Sequence, residues 1–250
     1  MQSIARDLPV VPNVEARKKP QSIPMKKLIT GIVEFRRKLL PDYRKTFAKL
    51  ALGQSPDTLF ISCSDSRVAV NVFASTDPGD LFVIRNVGNM VPKCGCDGER
   101  TSDQSVPAAI EFALTSLNVT SIVICGHSEC GAMHALTEGI EKVEGEHLKG
   151  WLKHGEDSVK ELAERPEFAI TLSKRNQLSQ LNVLTQLNHL RTYPMVQQRL
   201  AAGTLTLHGW WFELSNADVY AYEESLGQFV IFDEIEAMRI LEQLEHNAKS

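Results

Sequence analysis

No stretch of this 250-residue chain approaches the roughly 18 to 20 consecutive apolar residues that a bilayer-spanning helix requires, so nothing in it reads as a membrane segment. Long blocks of like charge are also missing. The 31 acidic and 27 basic side chains are dispersed to a formal net charge of -4, which excludes the basic footprint of a nucleic-acid binder. Internal repeats and low-complexity segments are absent. Cysteine is scarce and odd in number, five in all, which argues against a disulfide framework. The thiols are expected as ligands or core residues in a reducing compartment, the cytoplasm. The N-terminal stretch has no apolar core of a secretory signal, and Asp7 and Glu15 among Arg6, Arg17, Lys18 and Lys19 run against an acid-poor transit peptide. What remains is a chain with 43% apolar residues, long enough to bury a full core without covalent support.

Residues 1–24 carry Pro9, Pro12, Pro20 and Pro24 without a sustained apolar period, and read as a flexible arm. From Met25 to Leu40 the residues Leu28, Ile29, Ile32, Val33, Phe35 and Leu39 recur at helical spacing, predicting an amphipathic helix stopped by Pro41. A second helix is expected over Tyr43 to Leu52, ended by Gly53. Apolar runs at 58–63, 81–84, 121–126 and 205–212 read as strands, with weaker candidates at 219–222 and 229–232. Helices are expected at 68–74, 105–117 and 131–136, then at 148–162, 168–192, from Pro194, and at 234–246. Strand and helix alternate three times through the first half. That pattern predicts an α/β fold with a central, mostly parallel sheet of four to five strands flanked by helices, and an extended N-terminal helical arm.

Two of the strands end on chemistry. The first delivers Cys63-Ser64-Asp65-Ser66-Arg67, and the third delivers His127-Ser128-Glu129-Cys130. In an open parallel sheet, ligands bind at the carboxyl ends of the strands. Zinc takes thiolate sulfur and imidazole nitrogen, and a catalytic site keeps one of its positions for water. Cys63, His127 and Cys130 supply three such donors, so the two exits are expected to meet around one zinc ion. Asp65 and Arg67 beside them have the form of an oriented, ionised carboxylate. The other candidates have ordinary roles. Cys94 and Cys96 are expected as loop thiols and Cys125 as core. His134, His147, His154, His189, His208 and His246 have no ligand spacing and suit surfaces or caps, with His134 a candidate for assisting proton transfer. Trp210-Trp211 reads as strand packing.

Cys-x-Asp-x-Arg followed by His-x-x-Cys, each after an apolar strand, resembles the β-class carbonic anhydrases, in a plant-type-like subgroup. The resemblance runs over roughly residues 25 to 230 and includes Gln54-Ser55-Pro56, Pro78-Gly79, Arg85-Asn86-Val87, Gly131 and Thr192-Tyr193-Pro194. It implies one Zn2+ per chain on Cys63, His127 and Cys130, and a catalytic dyad of Asp65 and Arg67. The implied reaction is reversible hydration of carbon dioxide to bicarbonate by a zinc-bound hydroxide. With two thiolates on the metal, activity is expected to rise into mildly alkaline pH. Gln54, Phe82, Val87, Phe112 and Gly131 would line the substrate pocket, Phe112 standing where many plant-type members have tyrosine. In members that bind bicarbonate in a regulatory side pocket, Arg85 has its counterpart, while Phe60 and Phe212 replace a tryptophan and a tyrosine. Asp65 is therefore expected off the metal and paired with Arg67. The resemblance further implies a single domain over 25–250, with helices 25–53 packed on a partner subunit in a homodimer or higher oligomer. Two alternatives stand beside this reading. One is hydrolysis of carbonyl sulfide or carbon disulfide at the same zinc, and the other is a zinc-stabilised binding protein without turnover.

Overall fold

In the computed structural model, which describes residues 25–95 and 103–247, six strands form one sheet in the order β2-β1-β3-β4-β5-β6. The strands are β1 (Thr58–Cys63), β2 (Leu81–Asn86), β3 (Ser121–His127), β4 (Thr206–Glu213), β5 (Asp218–Glu223) and β6 (Gln228–Ile231). The first four in sequence pair in parallel; β5 and β6 add on antiparallel to β4. The sheet is thus wider than the four to five strands expected, because the two weak candidates are joined by tight turns and complete its edge. β1 and β3 sit at the centre and are buried on both faces after their first residue, which is why they read as uninterrupted apolar runs.

Helices cover both faces. On one, Leu59 and Ile61 of β1 and Ile122 and Ile124 of β3 pack against Ile110, Ala113 and Leu114 of α4 (Ser105–Thr115) and against Val183, Leu187 and Leu190. The last three belong to the longest helix, residues 174–190. On the other face Phe60, Val123, Cys125 and Phe212 form a separate cluster with Val68 and Val70, beside the short α3 (Val70–Phe73). Between these the chain adds α5 (Gly131–Glu138), α6 (Glu146–Leu152), α7 (Glu156–Glu164), α8 (Lys174–Leu190), α9 (Pro194–Ala201) and α10 (Glu234–Asn247). A Cβ on Gly126 would lie 2.8 Å from Val183 Cγ2 and 3.2 Å from Ser179 O, so α8 rests directly on the backbone that leads to His127. No helix among the described residues is long and apolar enough to cross a membrane.

The chain divides into two compact units, Met1–Ala51 and Leu52–Ser250. The expected arm, 1–24, lies outside the described residues. In the first unit, α1 (Lys26–Glu34) runs through a π-helical turn, Phe35–Leu39, into α2 (Leu40–Leu50). Pro41 therefore does not stop the helix. The Leu40 N–H reaches back five residues to Phe35 O, and Pro41 falls in the first turn of α2, where its missing N–H has no partner to lose.

Candidate metal centre

β1 and β3 run in register, Thr58 opposite Ser121 and Ser62 opposite Cys125, so both leave the sheet at the same edge. Cys63 is the last residue of β1 and His127 the last of β3, while Cys130 caps α5 from an extended backbone. Their ligand atoms are buried and lie within 4.8 Å of one another. His127 Nδ1 is 2.8 Å from Ser128 O; since a carbonyl only accepts, Nδ1 carries the proton and Nε2 the free lone pair. That Nε2 is buried and has no hydrogen-bond partner. A buried acceptor without a partner is costly, and a cation between the nitrogen and the two sulfurs satisfies it. The residues present fit zinc: two soft sulfurs and one imidazole make three protein ligands, with a fourth position open.

The sulfurs are prepared by the backbone. Asp65 N–H and Gly88 N–H each donate to Cys63 Sγ at 3.4 Å. The Cys63 thiol is brought down to about 4, first by Cys130 donating to it and then, against burial, by the Gly88 and Asp65 N–H groups. Cys130 is pushed up by that same hydrogen bond and by burial. A divalent cation displaces protons from such thiols on binding. Gly88 itself is placed by Asn86, whose side chain donates to Met90 O at 2.8 Å and accepts from Met90 N at 2.7 Å, closing the turn after β2.

Asp65 and Arg67 form a forked ion pair, Nε to Oδ1 at 2.9 Å and Nη2 to Oδ2 at 2.7 Å, with the Arg67 N–H adding a third bond at 3.0 Å. Arg67 holds the Asp65 carboxyl well below the usual carboxylate range. Asp65 Oδ2 stands 3.9 Å from His127 Nε2, so an ionised carboxylate borders the ligand cluster. Arg85 is engaged by backbone: it donates to Cys63 O at 2.8 and 3.1 Å and to Asp65 O at 2.7 Å. Phe60 and Phe212 are buried in the apolar cluster on the far side of the sheet.

One helix supports the centre from beneath. Ser179 Oγ donates to His127 O at 2.7 Å and accepts from Trp211 Nε1 at 3.0 Å. Asn182 Nδ2 donates to Gly88 O at 3.1 Å, and its Oδ1 accepts from Ser158 and Gln186. Gln186 Oε1 accepts from Val91 N at 2.8 Å, and His189 Nδ1 is 2.7 Å from Val91 O. His189 is therefore a buried strut, 3% exposed, rather than the surface or cap residue expected. Sequence reasoning missed this polar stripe; its spacing on α8 was the available signal.

The expected pocket residues are dispersed within one chain. Phe82 and Phe112 meet each other, ring centroids 5.7 Å apart, and Phe112 and Val87 are 45% and 42% exposed. Val87 O accepts from Trp151 Nε1 at 2.7 Å. Gly131 begins α5 next to Cys130, with open space where a Cβ would project. Gln54 is exposed in the loop ahead of Thr58, the end of β1 remote from Cys63. Cys125 is core, Cys94 is half-buried with its N–H on Thr192 Oγ1, and Cys96 lies outside the described residues. Trp211 is buried and Trp210 packs edge-on against Phe60 and Phe232.

Three donors of metal-ligating type at the exits of adjacent parallel strands, with a clamped carboxylate beside them, mark this α/β protein. A profile described as carbonic anhydrase matches residues 58–219. The carbonic anhydrase of Pseudomonas aeruginosa is 37% identical over 206 residues, 82% of this chain and 91% of that one. That of Synechocystis is 38% identical over 214 residues, 82% of this chain and 74% of that one. The structure of the β-carbonic anhydrase CcaA superposes with a TM-score of 0.76 at 37% identity, covering 84% of this chain and 92% of that one. A structure from work on two tetrameric β-carbonic anhydrases of Sordaria macrospora gives 0.67 at 30% identity, covering 82% and 97%. The chain belongs to the β-carbonic anhydrase family. It is accordingly an enzyme, a lyase, and membership supports carbon dioxide hydration as its reaction.

Proposed function

We propose that the protein interconverts carbon dioxide and bicarbonate at a single zinc ion per chain held by Cys63, His127 and Cys130. The observation that carries this reading is the buried, partnerless His127 Nε2 within 4.8 Å of two sulfurs. Zinc bound there supplies Lewis acidity that turns water into a nucleophile near neutral pH. The protein supplies the rest. Asp65, kept ionised by Arg67, accepts a hydrogen bond from the attacking oxygen and so fixes the direction of its lone pair. Phe82, Val87 and Phe112 offer apolar walls to a linear gas, and Gln54 and the Gly131 backbone offer polar contacts to bicarbonate.

The exposure of Val87 and Phe112, and the position of Gln54 ahead of β1, support a pocket completed where two copies meet. The exposed apolar stripe Leu28, Ile29, Ile32 and Val33 of α1 supports the first helices packing on a partner subunit. A homodimer, or a tetramer as in the Sordaria enzymes, is the proposed assembly.

Stopped-flow hydration of carbon dioxide with metal analysis tests the assignment. Cys63→Ser is expected to lose zinc and turnover together. Asp65→Ala is expected to keep zinc and lose turnover by about a hundredfold. Stoichiometric zinc without carbon dioxide hydration up to pH 9, or with turnover of carbonyl sulfide alone, would overturn it.

A further inference from the structure

Glu129 stands between His127 and Cys130 with a left-handed backbone, φ 55°. A non-glycine residue keeps that conformation only where its surroundings enforce it. Here the first turn of α8 does so. Asn176 Oδ1 accepts the Glu129 N–H at 2.8 Å, and Asn176 Nδ2 donates to Glu129 Oε1 at 3.3 Å. Arg175 donates to Glu129 Oε2 at 2.6 Å and is steadied in turn by His134 Nδ1 at 3.2 Å.

So held, the Glu129 carbonyl accepts a hydrogen bond from Arg67 Nη2 at 3.1 Å, while the same Nη2 donates to Asp65 Oδ2. The Arg67 side chain is 52% exposed, and its remaining hydrogen bonds go to Asp65, a neighbour on its own loop. The Glu129 carbonyl is what ties the guanidinium to the strand exit that carries His127 and Cys130. If residue 129 relaxes, its peptide turns, and the forked pair is free to swing as a unit relative to the ligands.

We propose that Asn176 and Arg175 are positioning residues for the Asp65–Arg67 pair, acting by holding Glu129 in its left-handed conformation so that its carbonyl fixes the Arg67 guanidinium. The inference rests on the catalytic reading of that pair. It goes beyond it by assigning the alignment of the pair to the start of α8.

The test uses the zinc-loaded full chain and two readouts. Asn176→Ala is expected to lower kcat about tenfold with KM and zinc content unchanged. The 15N-bound proton signal of Arg67 Nη2, which reports the bond to Glu129 O, is expected to shift, while that of Nε–H, still on Asp65 Oδ1, holds. Glu129→Gly added to Asn176→Ala is expected to restore both, because glycine holds a positive φ without a clamp. Glu129→Val added instead is expected to restore neither. An unchanged Arg67 Nη2 signal in Asn176→Ala, or a loss of kcat that glycine does not recover, overturns the proposal. Wild-type turnover in Asp65→Ala would instead sink the catalytic reading of the pair, and the Arg67 Nη2 signal alone would then decide the clamp.

Discussion

Replacing Gly88 by alanine perturbs the Cys63–His127–Cys130 cluster without touching its donors, and its effect follows from coordinates. Gly88 has φ 81°, and an added Cβ would stand 2.9 Å from Ala132 Cβ and 3.0 Å from Met90 Cε. The positive φ costs alanine about 1 kcal/mol. Ala132 is on α5, two residues after Cys130, and its Cβ has no rotamer with which to retreat, so the contact adds about 1 to 3 kcal/mol. Gly203→Ala separates the two contributions, since Gly203 has φ 66° and nothing within 4 Å of the added Cβ. Urea unfolding at fixed protein concentration, followed by tryptophan fluorescence, should show Gly203→Ala losing about 1 kcal/mol and Gly88→Ala about 2 to 4. The contact is relieved by moving either α5, and Cys130 with it, or residue 88, whose N–H donates to Cys63 Sγ. Zinc affinity measured by chelator competition should therefore fall in Gly88→Ala and hold in Gly203→Ala. Equal losses in the two variants, or unchanged zinc affinity in Gly88→Ala, would refute the reasoning.

Two further outcomes follow from the buried and charged groups. Arg67 depresses the Asp65 carboxyl, so their pairing adds stability that is complete above the unfolded-chain value near pH 4 and is lost as pH falls toward the folded value. The Tm difference between wild type and Arg67→Gln should accordingly stay level from about pH 8 to about pH 5 and narrow below about pH 4; a gap that widens in acid contradicts the assignment. Asn182→Ala strips partners from Gly88 O, Ser158 Oγ and Gln186 Nε2 inside the protein, and should cost about 2 to 4 kcal/mol in the same urea assay. A loss under 1 kcal/mol would mean that water takes over the network.

The meeting of Cys63, His127 and Cys130 was legible because its carriers are unusual: β1 and β3 are apolar through 59–61 and 122–125, and each ends abruptly on side chains of metal-binding type. The parallel alternation was legible for the same reason. α8 was not. Ser179, Asn182, Gln186 and His189 recur every three or four residues, which in one dimension is the pattern of a solvated helix face. Only the fold places that face against the backbone of residues 88–91 and 127. Pro41 misled in the other direction, since a proline is a stop only where an N–H is required of it, and the π-helical turn before it removes the requirement. Arg85 was read by resemblance as a side-pocket residue. That its guanidinium bonds the carbonyls of Cys63 and Asp65 depends on the register of β1 with β2, Ser62 opposite Arg85, which no local pattern encodes.

The stripe on α8 has a consequence for anyone wishing to move this centre to another scaffold. Grafting Cys63 to Arg67 and His127 to Cys130 onto two neighbouring parallel strands would reproduce the donors but not their footing, because the peptides at 88, 91 and 127 take their hydrogen bonds from a helix 52 to 95 residues downstream. A portable version is a three-part cassette: two strand exits and the helix beneath them, with a glycine at 126 thin enough to let that helix in.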